Sequence, residues 1–249
     1  MVLQPKTAMA YTSLIKKAYL NTLLEIFFPG KCLLCGEMLL GRNQSLKPVC
    51  LSCLEGLIPI TGRRCSVCSR VLISEKGICT ACRQSEYNFH TNYSIFEYSG
   101  VIKELIYQYK FRRRKRVALI FAGFLAEALK QLYPRSIVIP VPPRKQLWWQ
   151  REWEHVDLIT RCLEGFYGIR VARILKRSGK KAQKSMDFRQ RAENIRNTIS
   201  VKGDMSNTYS NLVLLDDIFT TGATGNECAR ILRAAGCRSV NLVTLALDY

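Results

Sequence analysis

Acidic residues are scarce in this chain of 249 residues: 19 Asp and Glu stand against 38 Lys and Arg, for a formal net charge of +19. Such a field draws polyanions, whether nucleic acid, acidic lipid or phosphorylated small molecules. Long apolar runs are also missing. No stretch approaches the roughly 18 apolar residues of a membrane span, so no transmembrane segment is expected. The opening stretch "MVLQPKTAMAYTSLIKKAYLNTLLEIFF" has apolar residues at helical spacing, broken by Lys16 and Lys17. It lacks the succession of charge, apolar block and small-residue cleavage site that marks a secretory signal. The expectation is an amphipathic helix over residues 1–30 of a cytoplasmic protein. Histidine is rarer still, with two, His90 and His155. Neither is assigned as a catalyst, and no general base is named.

Cysteine is abundant and unevenly placed. Of eleven, eight form C-x-x-C pairs before residue 83: Cys32/Cys35, Cys50/Cys53, Cys65/Cys68 and Cys79/Cys82. Each pair offers two thiolates from one tight turn, and two pairs close a tetrahedron around Zn2+. The spacing allows two sequential sites, making a double zinc ribbon over residues 31–90, and equally allows cross-braced pairing. An iron–sulfur cluster or redox dithiol is the rival occupant. Without an export signal, disulfides are not expected. No histidine or open position accompanies the thiolates, so the metal reads as structural. Cys162, Cys228 and Cys237 read as core fillers.

Beyond "RQSEYNFHTNY" the chain alternates, and residues 91–249 read as one further domain. "GVIKELIYQYK" puts Ile102, Leu105, Ile106 and Tyr109 on one helical face. "VALIFAGFLAEALKQLY" and "EHVDLITRCLEGFYG" are two more helices, and "TGNECARILRAAG" a fourth, with Gly236 at its end. "SIVIPVPP", "VARILKR", "NLVLLDD" and "SVNLVTLAL" are strands. Alternation of this kind predicts an α/β fold, a parallel sheet with helices on both faces. A polar, basic excursion between "VARILKR" and "NLVLLDD" is expected to be a functional loop or a small hairpin.

The stretch "NLVLLDDIFTTGAT" carries the chemistry. Ligands bind at the carboxyl ends of parallel strands. There Asp216 and Asp217 are followed by a turn of Thr220, Thr221, Gly222, Ala223 and Thr224 that opens a helix. Turn amides at a helix N-terminus suit a phosphate, and carboxylates accept hydrogen bonds from vicinal hydroxyls. A ribose 5-phosphate has both groups, and both aspartates are expected to face one pocket.

This stretch resembles the phosphoribosyl pyrophosphate (PRPP) loop of type I phosphoribosyltransferases. The resemblance implies that the acidic pair holds the ribose hydroxyls and the turn the 5-phosphate. It also implies a pyrophosphate loop at "IPVPPRK", with Arg144 and Lys145 on the diphosphate, and Mg2+ bound along with PRPP. The basic excursion holding Lys180, Lys181, Gln183, Lys184, Arg189, Arg191 and Asn194 would be a hood that keeps water from an oxocarbenium-like centre. With the double ribbon ahead of it, the chain resembles the ComF family, linked to DNA uptake in natural competence. The segments "LLEIFFPGKCLLCG", "LIYQYKFRRRKRVA", "IPVPP" and "LLDDIFTTGAT" carry that resemblance. Where the family shows an arginine followed by G-F-N-Q, this chain reads "REWEH", Arg151 to His155, which puts acceptor specificity or catalysis in question.

Two basic–aromatic stretches bear on nucleic acid. "IYQYKFRRRKR" sets Tyr107, Tyr109 and Phe111 beside Lys110, Arg112, Arg113, Arg114, Lys115 and Arg116. "RKQLWWQREW" sets Trp148, Trp149 and Trp153 beside Arg144, Lys145 and Arg151. Aromatic platforms in cationic grooves bind single strands. The resulting expectation is a ComF-like protein of DNA uptake that binds PRPP–Mg2+ and single-stranded DNA, working with proteins of the uptake apparatus such as a helicase. Two alternatives stay open: an active phosphoribosyltransferase on a base or nucleic-acid acceptor, and a PRPP-sensing regulator.

Overall fold

A computed structural model describes residues 30–39, 48–74, 76–143, 154–177, 198–202 and 211–248. The expected N-terminal helix, the tryptophan-rich stretch and the basic excursion of residues 178–210, apart from 198–202, lie outside these residues. So do Arg144, Lys145, Arg151, Lys180 and Lys181. No helix among the described residues is long and apolar enough to cross a membrane.

The described elements run in order as α1 (Leu51–Glu55), α2 (Thr80–Arg83), β1 (Asn92–Glu97), α3 (Gly100–Lys110), α4 (Val117–Leu132), β2 (Ile137–Pro140), α5 (His155–Tyr167), β3 (Leu175–Arg177), β4 (Ile199–Val201), β5 (Asn211–Phe219), α6 (Ala223–Ala234) and β6 (Ser239–Leu247). Four of the strands form a parallel sheet in the order β1-β6-β5-β2. The four helices expected from 3.6-residue periodicity beyond residue 91 are all present. In α3, for example, Ile102, Leu105, Ile106 and Tyr109 share one face, and all four are buried.

The sheet is covered on both faces. On one side Val213 and Leu215 of β5 and Val243 and Leu245 of β6 pack with α3, α4 and α5. The apolar face of α4, with Ile120, Phe121 and Leu125, is fully buried here. On the other side Leu212, Leu214 and Leu242 pack with Cys228, Ala229 and Leu232 of α6. The β3–β4 hairpin joins this second side against α6; it is antiparallel, with Leu175 opposite Val201. Its first strand immediately precedes the excursion that the sequence suggested, and its second lies within it.

One strand was not expected. β1, "NYSIFE", pairs with β6 along the sheet edge. Its inward residues include Asn92 and Ser94, which hid the alternation of a half-buried strand. Ser94 Oγ lies 2.7 Å from Thr244 Oγ1, and Asn92 Nδ2 donates to Ser94 Oγ at 3.0 Å, while Asn92 Oδ1 is buried without a hydrogen-bond partner among the described residues.

What positions the site is a difference in strand length. β2 pairs with β5 only as far as Pro140 opposite Leu215, and Val141 N–H adds one bond to Leu215 O at 2.9 Å. Pro142 and Pro143 have no N–H to continue the ladder. β5 runs on to Phe219, paired among the described residues with β6 alone. No described strand pairs with its β2-facing edge from Asp216 onward, at the carboxyl end where crevices open in such sheets.

Candidate functional site

Strand alternation puts neighbouring residues on opposite faces of a sheet. Leu214 faces α6 and Leu215 faces α3 and α5. Asp216 and Asp217 continue that alternation, so the two adjacent carboxylates diverge. Asp216 lines a cavity of about 80 Å³ together with Ile218, Phe219, Thr220, Thr221, Gly222, Ala223, Thr224, Gly225, Leu242 and Thr244. Asp217 turns the other way, where the Lys110 ammonium lies 2.6 Å from its Oδ2 and His155 Nε2 lies at 3.9 Å. The expectation that both face one pocket is thus corrected: one lines the cavity, and the other is held from the α3–α5 face.

The cavity wall follows from a tight turn. Gly222 stands at φ +71° and caps α6 in the left-handed conformation. A Cβ there would fall 2.7 Å from Phe219 Cζ and 2.8 Å from its Cε2, so only glycine fits. Ala223 N–H donates to Thr221 Oγ1 at 3.2 Å, and Asn226 N–H to Gly222 O at 2.7 Å. The remaining start of α6, with its aligned dipoles, faces the cavity as an anion-binding end. Thr244, Leu242 and Ile218 belong to the lining yet lie far from the loop motif or carry no polar signal, so sequence reasoning did not reach them.

The Asp216 carboxyl is raised to about 7. Burial is the main cause and the Asp217 charge the next. The Asp217 N–H, donating to Asp216 Oδ1 at 2.9 Å, and the charges of Lys110 and Arg177 pull it back only in part. The site therefore combines a poorly solvated carboxylate with a helix N-terminus a few residues on. Among ligands, one that brings hydroxyls to the first and an anion to the second satisfies both.

The sequence groups Lys110 with the nucleic-acid cations, but in the structure its ammonium lies on Asp217, because α3 buries its apolar face and ends there. Arg112, Arg113, Arg114, Lys115 and Arg116 follow as a fully exposed run, with Phe111 beside them. Of the aromatics, Tyr109 is buried and its hydroxyl donates to His155 O at 2.6 Å. Tyr107 and Phe111 remain at the surface, 40% and 66% exposed, with ring centroids 5.4 Å apart and Arg112 lying 5.8 Å from the Tyr107 ring. His90 packs against β6: its backbone N–H donates to Val240 O at 2.8 Å, and Val240 N–H points at its Nδ1 at 3.4 Å.

The eight ribbon cysteines form two sets in sequential pairing, Cys32/Cys35/Cys50/Cys53 and Cys65/Cys68/Cys79/Cys82. Within each set the sulfurs lie inside 4.8 Å of one another. A tetrahedron with Zn–S bonds of about 2.3 Å has edges of about 3.8 Å. Cys35 and Cys50 sulfurs are 3.7 Å apart, and Cys68 and Cys79 sulfurs 3.8 Å. The fit is to a single ion rather than to a multi-iron cluster. Backbone amides support the thiolate form: Cys50 N–H points at Cys32 Sγ at 3.4 Å, and Cys79 N–H at Cys65 Sγ at 3.3 Å. Burial raises both thiols, yet these and neighbouring amides outweigh it, bringing Cys32 to about 6 and Cys65 to about 7. The two sets fit zinc, and an ion held by all four thiolates of a set would tie the ribbon together without an open coordination position.

Comparison with known proteins finds the ribbon and relatives over most of the chain. Residues 23–83 match the model of the double zinc ribbon domain. Over 212 residues the chain is 28% identical to competence protein ComFC of Bacillus subtilis, covering 80% of this chain and 85% of that protein. It is 25% identical over 223 residues to the DNA utilization protein YhgH of Salmonella typhi, covering 86% of this chain and 95% of the relative. Among solved structures, adenine phosphoribosyltransferase from Leishmania tarentolae aligns over 57% of this chain and 74% of its own, at 14% identity and a TM-score of 0.36.

Proposed function

Proceeding from its kinship with the ComF-type competence proteins over most of its length, we propose that this chain binds PRPP with Mg2+ at the carboxyl end of β5. We further propose that it handles single-stranded DNA during uptake, in the cytoplasm. The observation that carries the first part is the cavity itself. A half-buried carboxylate, Asp216, and the glycine-capped turn of Thr220 to Thr224 line the same small space at a helix N-terminus.

In this reading the 5-phosphate sits against the turn, receiving N–H bonds from the start of α6 and hydroxyl bonds from Thr220, Thr221 and Thr224. Asp216 accepts from a ribose hydroxyl. Asp217, on the other face, holds Lys110 until a ligand hydroxyl or the ligand's cation takes over part of that role. Mg2+ prefers phosphate oxygens and water and would supply charge neutralisation on the diphosphate. Arg144 and Lys145 are proposed to meet that diphosphate.

The DNA part rests on the surface beyond α3. Tyr107 and Phe111 are exposed, their rings tilted by 37° to each other, and Arg112 lies 5.8 Å from the Tyr107 ring, the aromatic and cationic elements a single-strand platform uses. The relatives' names, competence and DNA utilization, point the same way. Arg112 to Arg116 would follow the phosphates, joined by Arg151, Lys180 and Lys181.

A second reading is transfer of the ribose 5-phosphate to an acceptor; among the described residues no strand pairs with β5 beyond Leu215 on its β2 side, where such an acceptor would approach the ribose carbon. The test is thermal stabilisation of the zinc-loaded protein by PRPP–Mg2+, ribose 5-phosphate and pyrophosphate, run beside fluorescence anisotropy of labelled oligo(dT). Stabilisation greatest with PRPP and salt-sensitive oligo(dT) binding are expected. No shift with any of the three compounds would remove the ligand site, and pyrophosphate release with an acceptor would promote the second reading.

A further inference from the structure

The second thiolate set and the phosphate turn are joined by a short, densely contacted segment, Tyr87–Asn88–Phe89. The sulfurs of Cys65, Cys68, Cys79 and Cys82 are packed in the same apolar cluster as Phe89, Phe219 and Leu247, with Tyr87 against it. The chain leaves that set through Ser85, whose N–H donates to Cys82 O at 3.3 Å. It then reaches the turn directly.

Three contacts make the junction. Tyr87 Cε1 stands 3.5 Å from where a Cβ on Gly222 would be, so its ring closes the side of the turn that Phe219 leaves open. Phe89 meets Phe219 edge to face at 6.2 Å and Tyr87 at 5.0 Å, tying the three rings into one wedge under the turn. Asn88 grips the first turn of α6: its N–H and its Nδ2 both donate to Asn226 Oδ1, at 2.5 and 3.1 Å. Asn226 in turn donates its N–H to Gly222 O. The first thiolate set has no part in this junction among the described contacts. Cys32, Cys50 and Cys53 pack into the other cluster, on the α3–α4 face.

We infer that Tyr87 and Asn88 are positioning residues that couple metal in the second thiolate set to the shape of the phosphate turn, so that emptying this set loosens the turn and emptying the first does not. Four thiolates around one ion replace the apolar core that residues 65–82 are too few to build. When the ion leaves, Tyr87 to Phe89 keep their tether to β6 through His90 but lose the one on the ribbon side. The turn then lacks the wedge that holds Gly222 in its left-handed conformation. A metal- or oxidation-sensitive ribbon would in this way control a ligand site it never touches. The inference deepens the reading of Thr220–Thr224 as a phosphate site and rests on it for its functional meaning.

The test is amide hydrogen exchange of residues 220–226 in the full-length zinc-loaded protein, without ligand. Its failure is therefore separable from a failure to bind PRPP. Cys82→Ser and Tyr87→Ala are expected to speed exchange there about tenfold, within the usual range of coupling between sites, while Cys53→Ser leaves it unchanged. Asn226→Ala should loosen the turn as well and Asn226→Asp, which keeps the acceptor, should not. Both position-226 variants and Tyr87→Ala should retain two zinc ions per chain. Should Cys82→Ser unfold throughout, Tyr87→Ala and Asn226→Ala decide. Unchanged exchange in both of them, or an equal rise in Cys53→Ser and Cys82→Ser, overturns the inference.

Discussion

The ammonium of Lys110, the last residue of α3, lies 2.6 Å from Oδ2 of Asp217, the second of two adjacent aspartates in β5. Both side chains are largely buried, at 20% and 13% exposed, so the pair is neither a screened surface contact nor a casual one. It means that one member of the basic run after "IYQY" belongs to the acidic site rather than to the surface. Lys110→Gln is expected to weaken PRPP binding roughly tenfold, about 1.4 kcal/mol, by leaving Asp217 uncompensated beside a polyanion. It should leave the salt dependence of oligo(dT) binding as it is. Arg112→Gln and Arg114→Gln should do the reverse, each lowering the slope of log K against log salt by about 0.7, as the loss of one phosphate contact on a single strand does. Equal slopes for Lys110→Gln and Arg112→Gln would return Lys110 to the nucleic-acid surface.

Asp216 gives a pH signature. Its carboxyl is raised to about 7 in the folded chain, against an ordinary 3.8, so the folded state binds that proton more tightly than the unfolded one. The stability this contributes is fully present below about pH 4 and is lost as pH rises through 7. Asp216→Asn is neutral at every pH and escapes the loss. It should therefore be more stable than the parent above pH 7, by roughly 1–3 kcal/mol once partial solvent access is allowed for. The gap should close as pH falls toward 4. Chemical denaturation at pH 4.5, 6 and 8 measures this. A variant less stable than the parent at pH 8 contradicts the assignment. The same variant should lose PRPP affinity, so stability and binding move in opposite directions.

Gly222→Ala tests the turn. The new methyl meets the Phe219 ring at 2.7 Å and must also hold φ near +71°. Together these should cost roughly 2–4 kcal/mol and displace the amides that receive the phosphate. Thermal unfolding and PRPP titration of this variant should fall together. A variant as stable as the parent and equally able to bind would deny the turn its role.

Zinc stoichiometry tests the pairing of the knuckles. Sequential sets predict two ions per chain and one after Cys32→Ser/Cys35→Ser. Adding Cys50→Ser/Cys53→Ser should leave that one in place, whereas adding Cys65→Ser/Cys68→Ser should remove it. Elemental analysis of the purified variants reads this directly, and a second ion lost on adding the Cys50/Cys53 changes would point to cross-bracing.

Much of this architecture is legible in the sequence because the strongest signals are periodic. α3 and α4 declare themselves by the spacing of Ile102, Leu105, Ile106 and Tyr109 and by the apolar length of "VALIFAGFLAEAL". The C-x-x-C spacing declares the metal sites. What is not legible depends on where chains meet in space. β1 is obscured because Asn92 and Ser94 point inward, and their partners beyond each other are Ser69 and Thr244, 23 to 150 residues away. Knuckle pairing is invisible to spacing that permits both arrangements. The divergence of Asp216 and Asp217 was, in principle, readable: adjacent residues in a strand cannot share a face, and the motif's compactness concealed it. Lys110 looked like its basic neighbours because nothing local says that α3 ends against β5.

The exposed aromatics give a further expectation. Tyr107→Ala and Phe111→Ala should each weaken oligo(dT) binding by roughly 1–3 kcal/mol, the worth of one stacked base, with little effect on duplex. Anisotropy against both substrates separates them. Unchanged single-strand affinity in the double variant would leave this face without its proposed role.

The most direct measurement is isothermal titration calorimetry of PRPP with Mg2+ into the zinc-loaded protein, alongside the Asp216→Asn/Asp217→Asn variant. The account predicts saturable binding in the parent, stronger at pH 8 than at pH 6, and its disappearance in a variant that remains folded. Absence of heat in a folded parent, or equal binding in the variant, would contradict a ribose-phosphate site at the end of β5.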